Sequence, residues 1–153
     1  MDFPTPSRYV AFVSLASNLV GADTNGFADV FVHDRVTGKT ERLRVRSNGN
    51  QGNDQSVVPS ISADGRYVAF LSFASNLVGA DTNGFEDVFV YDRVTGKTER
   101  VSVRSNGDQG NDSSVIPSIS ADGRYVAFYS FASNLVGADT NGFSDVFVRG
   151  PLR

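Results

Sequence analysis

Cysteine and tryptophan are both absent from this sequence, and histidine and methionine occur once each, at His33 and Met1. Without cysteine there is no disulfide, no thiolate nucleophile and no cysteine-based zinc site. A lone histidine leaves little room for the nucleophile–base pairs of covalent catalysis. Basic charge is scarce too: 14 Lys and Arg stand against 17 Asp and Glu, a net charge of −3, with both signs spread along the chain. That balance offers no footprint for nucleic acid or for an anionic membrane surface. No apolar run reaches the length of a membrane-spanning helix, and residues 1–20 lack the basic start and apolar stretch of a signal peptide. The expectation is no nucleic-acid partner and no membrane insertion, with any targeting segment lying outside this chain. Helical periodicity is missing throughout.

Repetition is what the chain does have. The pentapeptide RYVAF begins at Arg8, Arg66 and Arg124, a spacing of 58 residues. Its copies are nearly identical, and the changes between the first two, such as Val13/Leu71, Ala28/Glu86 and His33/Tyr91, are mostly conservative or at positions expected to face water. Hydrophobic residues make up 40% and aromatics 11%, enough for a packed core in a single domain over residues 1–153. That domain divides into units 1–57, 58–115 and 116–153, the first and last incomplete.

Within one unit every signal is strand or turn. Val57 to Ser62 reads as a short first strand, Asp64-Gly65 as a tight turn, and Arg66 to Ser72 as a second strand rich in β-branched and aromatic residues. A long connection, Ala74 to Phe85, leads to a third strand at Asp87 to Tyr91. A turn at Asp92 to Lys97 precedes an alternating fourth strand, Thr98 to Val103, and a polar loop, Ser105 to Asn111, leads onward. Four strands per unit at fixed spacing predict an all-β β-propeller of about three four-stranded blades, each sheet burying both faces against its neighbours. The strands count as three, four and three, because the first unit opens on a stub, Met1 to Ser7, and the last stops after its third strand. Propeller rings hold roughly four to eight blades. The favoured assembly is therefore a homodimer closing a six-bladed ring; the alternative is a piece of a longer propeller.

The run Ser62-Ala63-Asp64-Gly65-Arg66-Tyr67-Val68-Ala69-Phe70, with Asp87-Val88-Phe89-Val90-Tyr91-Asp92 and Thr95-Gly96, resembles the TolB-like (WD40-like) β-propeller repeat. The resemblance covers nearly the whole chain and departs at Ala63 and Ala121, where that family usually has proline. It implies a propeller, a periplasmic or extracellular setting, and one of several roles: binding, scaffolding, or an accessory domain of a hydrolase.

Each unit also carries Gly-Ala-Asp-Thr-Asn-Gly-Phe-x-Asp, beginning at Gly21, Gly79 and Gly137. Calcium loops place oxygen ligands at alternate positions around a sharp glycine bend. That pattern makes Asp23, Asn25, Phe27 (through its carbonyl) and Asp29 candidate ligands, with Asp81, Asn83, Phe85 and Asp87 in the second copy and Asp139, Asn141, Phe143 and Asp145 in the third. The loops resemble those of integrin-type propellers, except that Gly79 stands where those carry a first aspartate; Asn76 lies nearby as a substitute. A metal-free Asx turn accounts for the same residues. The amide-rich loops, Ser47 to Asp54 and Ser105 to Asp112, suit either a protein or glycan ligand or a solvated linker between blades.

Catalysis is not expected. His33 becomes Tyr91 and Arg149 in the other copies, and carboxylates repeated identically lack the contrasting environments of an acid/base pair. The expected function is a non-catalytic binding or scaffold module that self-associates, with calcium as the possible cofactor; the alternative is a purely structural repeat with no ligand.

Overall fold

Ten strands and no helix occupy the described residues. The computed structural model describes residues 7–43, 46 and 49–152. The first six residues of the expected strand stub, Arg44, Val45, the Ser47-Asn48 opening of the first polar loop and Arg153 lie outside the described residues.

The strands form three antiparallel sheets in chain order, each an up-and-down meander. β1 (Tyr9–Ser14), β2 (Asp29–Asp34) and β3 (Thr40–Arg42) make the first. β4 (Ser56–Ile61), β5 (Tyr67–Ser72), β6 (Asp87–Asp92) and β7 (Lys97–Arg100) make the second, and β8 (Ser114–Ile119), β9 (Val126–Ser130) and β10 (Asp145–Arg149) the third. The pattern of three, four and three is the one expected.

Uninterrupted apolar runs such as Tyr67-Val68-Ala69-Phe70 fold as strands here because the middle sheet is covered on both sides. Val68, Phe70, Phe89 and Tyr91 turn one way, into a cluster with Val30, Val32 and Leu43 of the first sheet. Ala69, Val88, Val90 and Val101 turn the other way, against Ile119, Val126 and Phe128 of the third. Successive residues of β5 and β6 thus serve opposite interfaces, which is the strand period at work. Phe70 and Phe89 are fully buried and stacked with centroids 5.8 Å apart; burial of each contributes about 1.5–3 kcal/mol.

The sheets are also latched at their edges. The Tyr9 ring lies so close over Gly65 of the next sheet that a Cβ there would come within 2.1 Å of it, and Tyr67 sits likewise over Gly123 at 2.4 Å. Both glycines have positive φ, +73° and +71°, so the turn and the ring seat each require glycine. Arg93, in the turn after β6, reaches back to stack on Tyr9 at 4.8 Å and donates to Glu41 of the first sheet at 2.7 Å.

Two local features differ from the expected strands. β4 and β8 each carry a register shift, between Val57 and Ser60 and between Val115 and Ser118, with Val58 and Ile116 at φ +52° and +53°. A β-branched residue there is a strained bulge rather than a regular strand. The fourth strand also stops at Arg100 instead of Val103. Ser102 turns its hydroxyl onto Asp87 Oδ1 at 2.7 Å and accepts from the Val88 amide at 3.1 Å, which bends the chain away into the polar loop.

Candidate functional site

The Gly-Ala-Asp-Thr-Asn-Gly-Phe-x-Asp loops join β1 to β2, β5 to β6 and β9 to β10. Asparagine shapes all three: Asn83 accepts from the Phe85 amide at 3.2 Å and donates to Asp87 at 3.0 Å, an Asx turn closed onto the strand's first carboxylate. Asn25 does the same for Phe27 and Asp29, and Asn141 for Phe143 and Asp145. The alanine before each first aspartate has left-handed backbone, Ala22 at φ 62°, Ala80 at 60° and Ala138 at 64°.

In the first two copies the two aspartates converge on an arginine from the neighbouring strand. Arg100 Nη1, on β7, lies 3.1 Å from Asp81 Oδ1 and 2.9 Å from Asp87 Oδ2, all three side chains being less than a tenth exposed. Arg42 on β3 pairs with Asp23 at 2.8 Å and Asp29 at 3.5 Å. Burial raises the Asp81 carboxyl above its ordinary range against the pull of Arg100, and burial likewise raises Asp29 against its Asn25 and Arg42 contacts. Among the described residues no group of three or more His, Asp or Glu comes together to hold a metal ion. In these two copies a guanidinium already stands between the acids, in the place a metal ion would take. Asn76, the candidate substitute ligand, bonds the Asn53 amide at 3.0 Å and the Gln51 carbonyl at 3.3 Å instead of facing the acids.

The amide-rich loop is knitted into the same structure. Gln109 donates to Thr82 Oγ1 at 2.7 Å, accepts from the Thr82 amide at 3.2 Å, and accepts from Arg100 at 3.0 Å. Two residues on, Asn111 bonds Ser133 and Asn134 of the next unit, each at 3.0 Å. Gln51 and Asn53 repeat the arrangement one unit earlier. Each linker thus pins its own unit's loop and the next one's, which favours the inter-blade linker over an amide surface open to a glycan.

The chain thus builds three stacked meanders of one repeat, cross-latched at their edges. No protein-family model matches the sequence, and no curated protein does. Among solved structures, the chain is similar to TolB from Acinetobacter baumannii, with a TM-score of 0.53 and 19% identity over 94% of this chain. It is similar to a putative TolB from Agrobacterium tumefaciens, with a TM-score of 0.52 and 16% identity over 94% of this chain. The fold is a TolB-like propeller segment. The chain spans 27% of the first of those structures and 47% of the second. The β-propeller domain of the Trilobed protease from Pyrococcus furiosus is also similar, at a TM-score of 0.45 and 12% identity over 95% of this chain and 40% of that one.

In this TolB-like segment the expected residues Asp23, Asn25 and Asp29 stand together, as do Asp81, Asn83 and Asp87, and as do Asn141 and Asp145; Phe27, Phe85 and Phe143 point into solvent, 38%, 41% and 79% exposed. Sequence reasoning missed Arg42 and Arg100, and the glutamines beside them. The signal was present: Thr-Glu-Arg recurs at the same distance after the first two Asp-Thr-Asn-Gly loops, at Thr40 and Thr98.

Proposed function

We propose that this chain is a non-catalytic TolB-like propeller module whose work is association: its end blades dock onto complementary blades of a second copy, and two chains close a ring of six. One comparison carries the reading. Val146 and Val148 on the third sheet are 72% and 69% exposed, while Val88 and Val90, their counterparts one repeat earlier, are 0% and 6% exposed against the third sheet. At the opposite end Val10 and Leu19 are 43% and 40% exposed, where Val68 and Leu77 are 0% and 2%. Each open face is thus a sequence copy of a surface that finds its partner inside the chain. Exposed apolar patches of this kind are interaction surfaces. A non-catalytic role is supported by the loop acids, which are held by asparagine and arginine, and by His33, whose ring Nδ1 is hydrogen-bonded to Thr40 Oγ1 at 2.9 Å.

A second reading, a structural repeat whose junctions are made by further blades rather than by another copy, is favoured by one position. Ser7 stands where the other units have Gly65 and Gly123, and a Cβ at Gly65 would meet the tyrosine ring of the preceding blade. A junction onto the first blade must then seat Tyr125 differently from the internal latches. Light scattering separates the two readings. A species near twice 16.4 kDa that dissociates on dilution supports ring closure, and a monomer at all concentrations refutes it.

A further inference from the structure

The two junctions between neighbouring sheets repeat the same residues, with one exchange. At the first, Arg93 crosses from the second sheet to the first: it stacks on the Tyr9 ring at 4.8 Å, donates from Nε to Glu41 at 2.7 Å, and donates from Nη1 to the Gly65 carbonyl. At the second, Tyr67, Glu99 and Gly123 repeat Tyr9, Glu41 and Gly65, but Pro151 stands where the repeat register would bring an arginine. Proline has no amide hydrogen to donate. The bond that Arg93 makes to the Arg66 carbonyl at 2.9 Å is therefore made one residue later, by the Leu152 amide to the Arg124 carbonyl at 2.7 Å. Leu152 takes the place of Arg93 and packs with Tyr67 against the apolar cluster of that junction. Glu99 has no ion pair among the described residues. We propose that this second junction is a binding site for a guanidinium group supplied from outside the chain, which makes there the contacts that Arg93 makes at the first.

A cavity of about 330 Å³ opens at this junction, lined by Arg66, Tyr67, Asp92, Lys97, Glu99 and Leu152 among others, a volume that suits a small ligand or one long side chain. The charges around it accept a further cation. Arg66 already lies over the Tyr67 ring at 4.8 Å, but its Nε and Nη2 are spent on Asp92 at 3.0 and 2.8 Å. Arg8 and Asp34 form the same pair at the first junction, with Arg8 over the Tyr9 ring at 4.9 Å, and Arg93 is seated there all the same. Lys97 has its counterpart in Lys39. With the other charges matched between the two junctions, Glu99 is the carboxylate left over at the second.

An aromatic face, a carboxylate and a carbonyl oxygen together select a flat cation with several donors. The ring attracts positive charge, and the two oxygens accept from different nitrogens of one planar fork. A guanidinium satisfies all three at once, as Arg93 does one repeat earlier. The Leu152 side chain supplies an apolar wall for the stem that carries the group. The site lies between the second and third sheets and shares no residue with the end faces marked by Val10, Leu19, Val146 and Val148. It stands whether or not a ring closes.

The test follows backbone amide chemical shifts of the full chain by NMR during titration with N-acetyl-arginine methylamide, whose only charge is the guanidinium. Saturable shifts are expected at Gly123 and Leu152, with a Kd in the millimolar range. The citrulline analogue, and the Glu99→Gln chain with the arginine compound, should each bind at least about tenfold more weakly, the loss of one charge-assisted contact. Leu152→Arg supplies the cation from within the chain, so that variant should no longer bind the compound and should melt at a higher temperature. Free arginine that binds more tightly than the blocked compound marks a small molecule as the source of the group, and otherwise the source is an arginine side chain of a partner; both support the site. Absence of saturation, equal binding of the citrulline analogue, unchanged affinity in Glu99→Gln, or full binding by a folded Leu152→Arg chain overturns the proposal.

Discussion

Glycine at 65 and 123 does two jobs that a single alanine substitution can separate. Gly96, in the turn after β6, has the same left-handed backbone, φ +72°, but open space around it apart from the Tyr91 hydroxyl at 3.9 Å. Gly96→Ala should therefore cost only the backbone term, about 1 kcal/mol. Gly123→Ala carries that term and also displaces the Tyr67 ring, so it should cost clearly more, about 2–4 kcal/mol in all. Paired urea denaturation curves check this, and equal losses would mean that the ring seat contributes nothing. The turns themselves were legible, because Asp-Gly between two β-rich runs has a mechanism in the sequence. The tyrosine seat was not, since it joins residues of different repeats. Nor was the left-handed backbone at Ala80, because alanine gives no sign of a conformation it rarely adopts.

Strands and their turns are tied together by charge of two kinds, which respond oppositely to acid. Arg66, at the head of β5, grips Asp92, at the end of β6, with contacts of 3.0 and 2.8 Å, and that guanidinium holds the Asp92 carboxyl down to about 2. Asp34 is lowered in the same way by Arg8, and Asp64 and Asp122 by their neighbouring serines. A depressed carboxyl stabilises the fold above its unfolded value, near 3.8, and that contribution fades as pH falls from there toward 2. Asp29 and Asp81, raised by burial, act with the opposite sign, their contribution fading as pH rises through their folded values. The four depressed groups outnumber the two raised ones, so thermal melts should lose stability between pH 4 and 2 as Asp92 titrates, with Arg66→Met flattening the slope. An unchanged slope in that variant would contradict the assignment.

The buried arginine makes the larger energetic claim at this scale. Arg100→Met leaves Asp81 and Asp87 facing each other without a counter-charge and should cost roughly 3–5 kcal/mol. Neutralising both acids as well, in D81N/D87N/R100M, should recover most of the loss, and denaturant midpoints read both steps. A wild-type midpoint for Arg100→Met would mean that the triad is not formed. Sequence reasoning grouped these acids and left them open between a calcium loop and a metal-free Asx turn, because the oxygen spacing of a metal loop and that of an arginine clamp are alike. Only the pairing of β6 with β7, with Phe89 opposite Arg100, reveals which cation is near.

At the scale of the whole molecule, the repeat spacing made the three, four and three pattern of strands readable before any coordinates, since near-identical units must stack in a near-identical way. What the spacing could not convey is which end surfaces stay open. That depends on Val146, Val148, Val10 and Leu19 being exposed where their counterparts are covered. If blade faces are the binding surfaces, association must run head to tail, the front of one chain against the back of another. The most direct measurement is sedimentation velocity of Leu19→Asp, of Val146→Asp, and of their equimolar mixture. Each variant alone keeps one good face with no partner and should sediment as a monomer, while the mixture should yield a pair near twice 16.4 kDa joined by the two intact faces. A mixture that stays monomeric, or a single variant that still associates, would contradict the account.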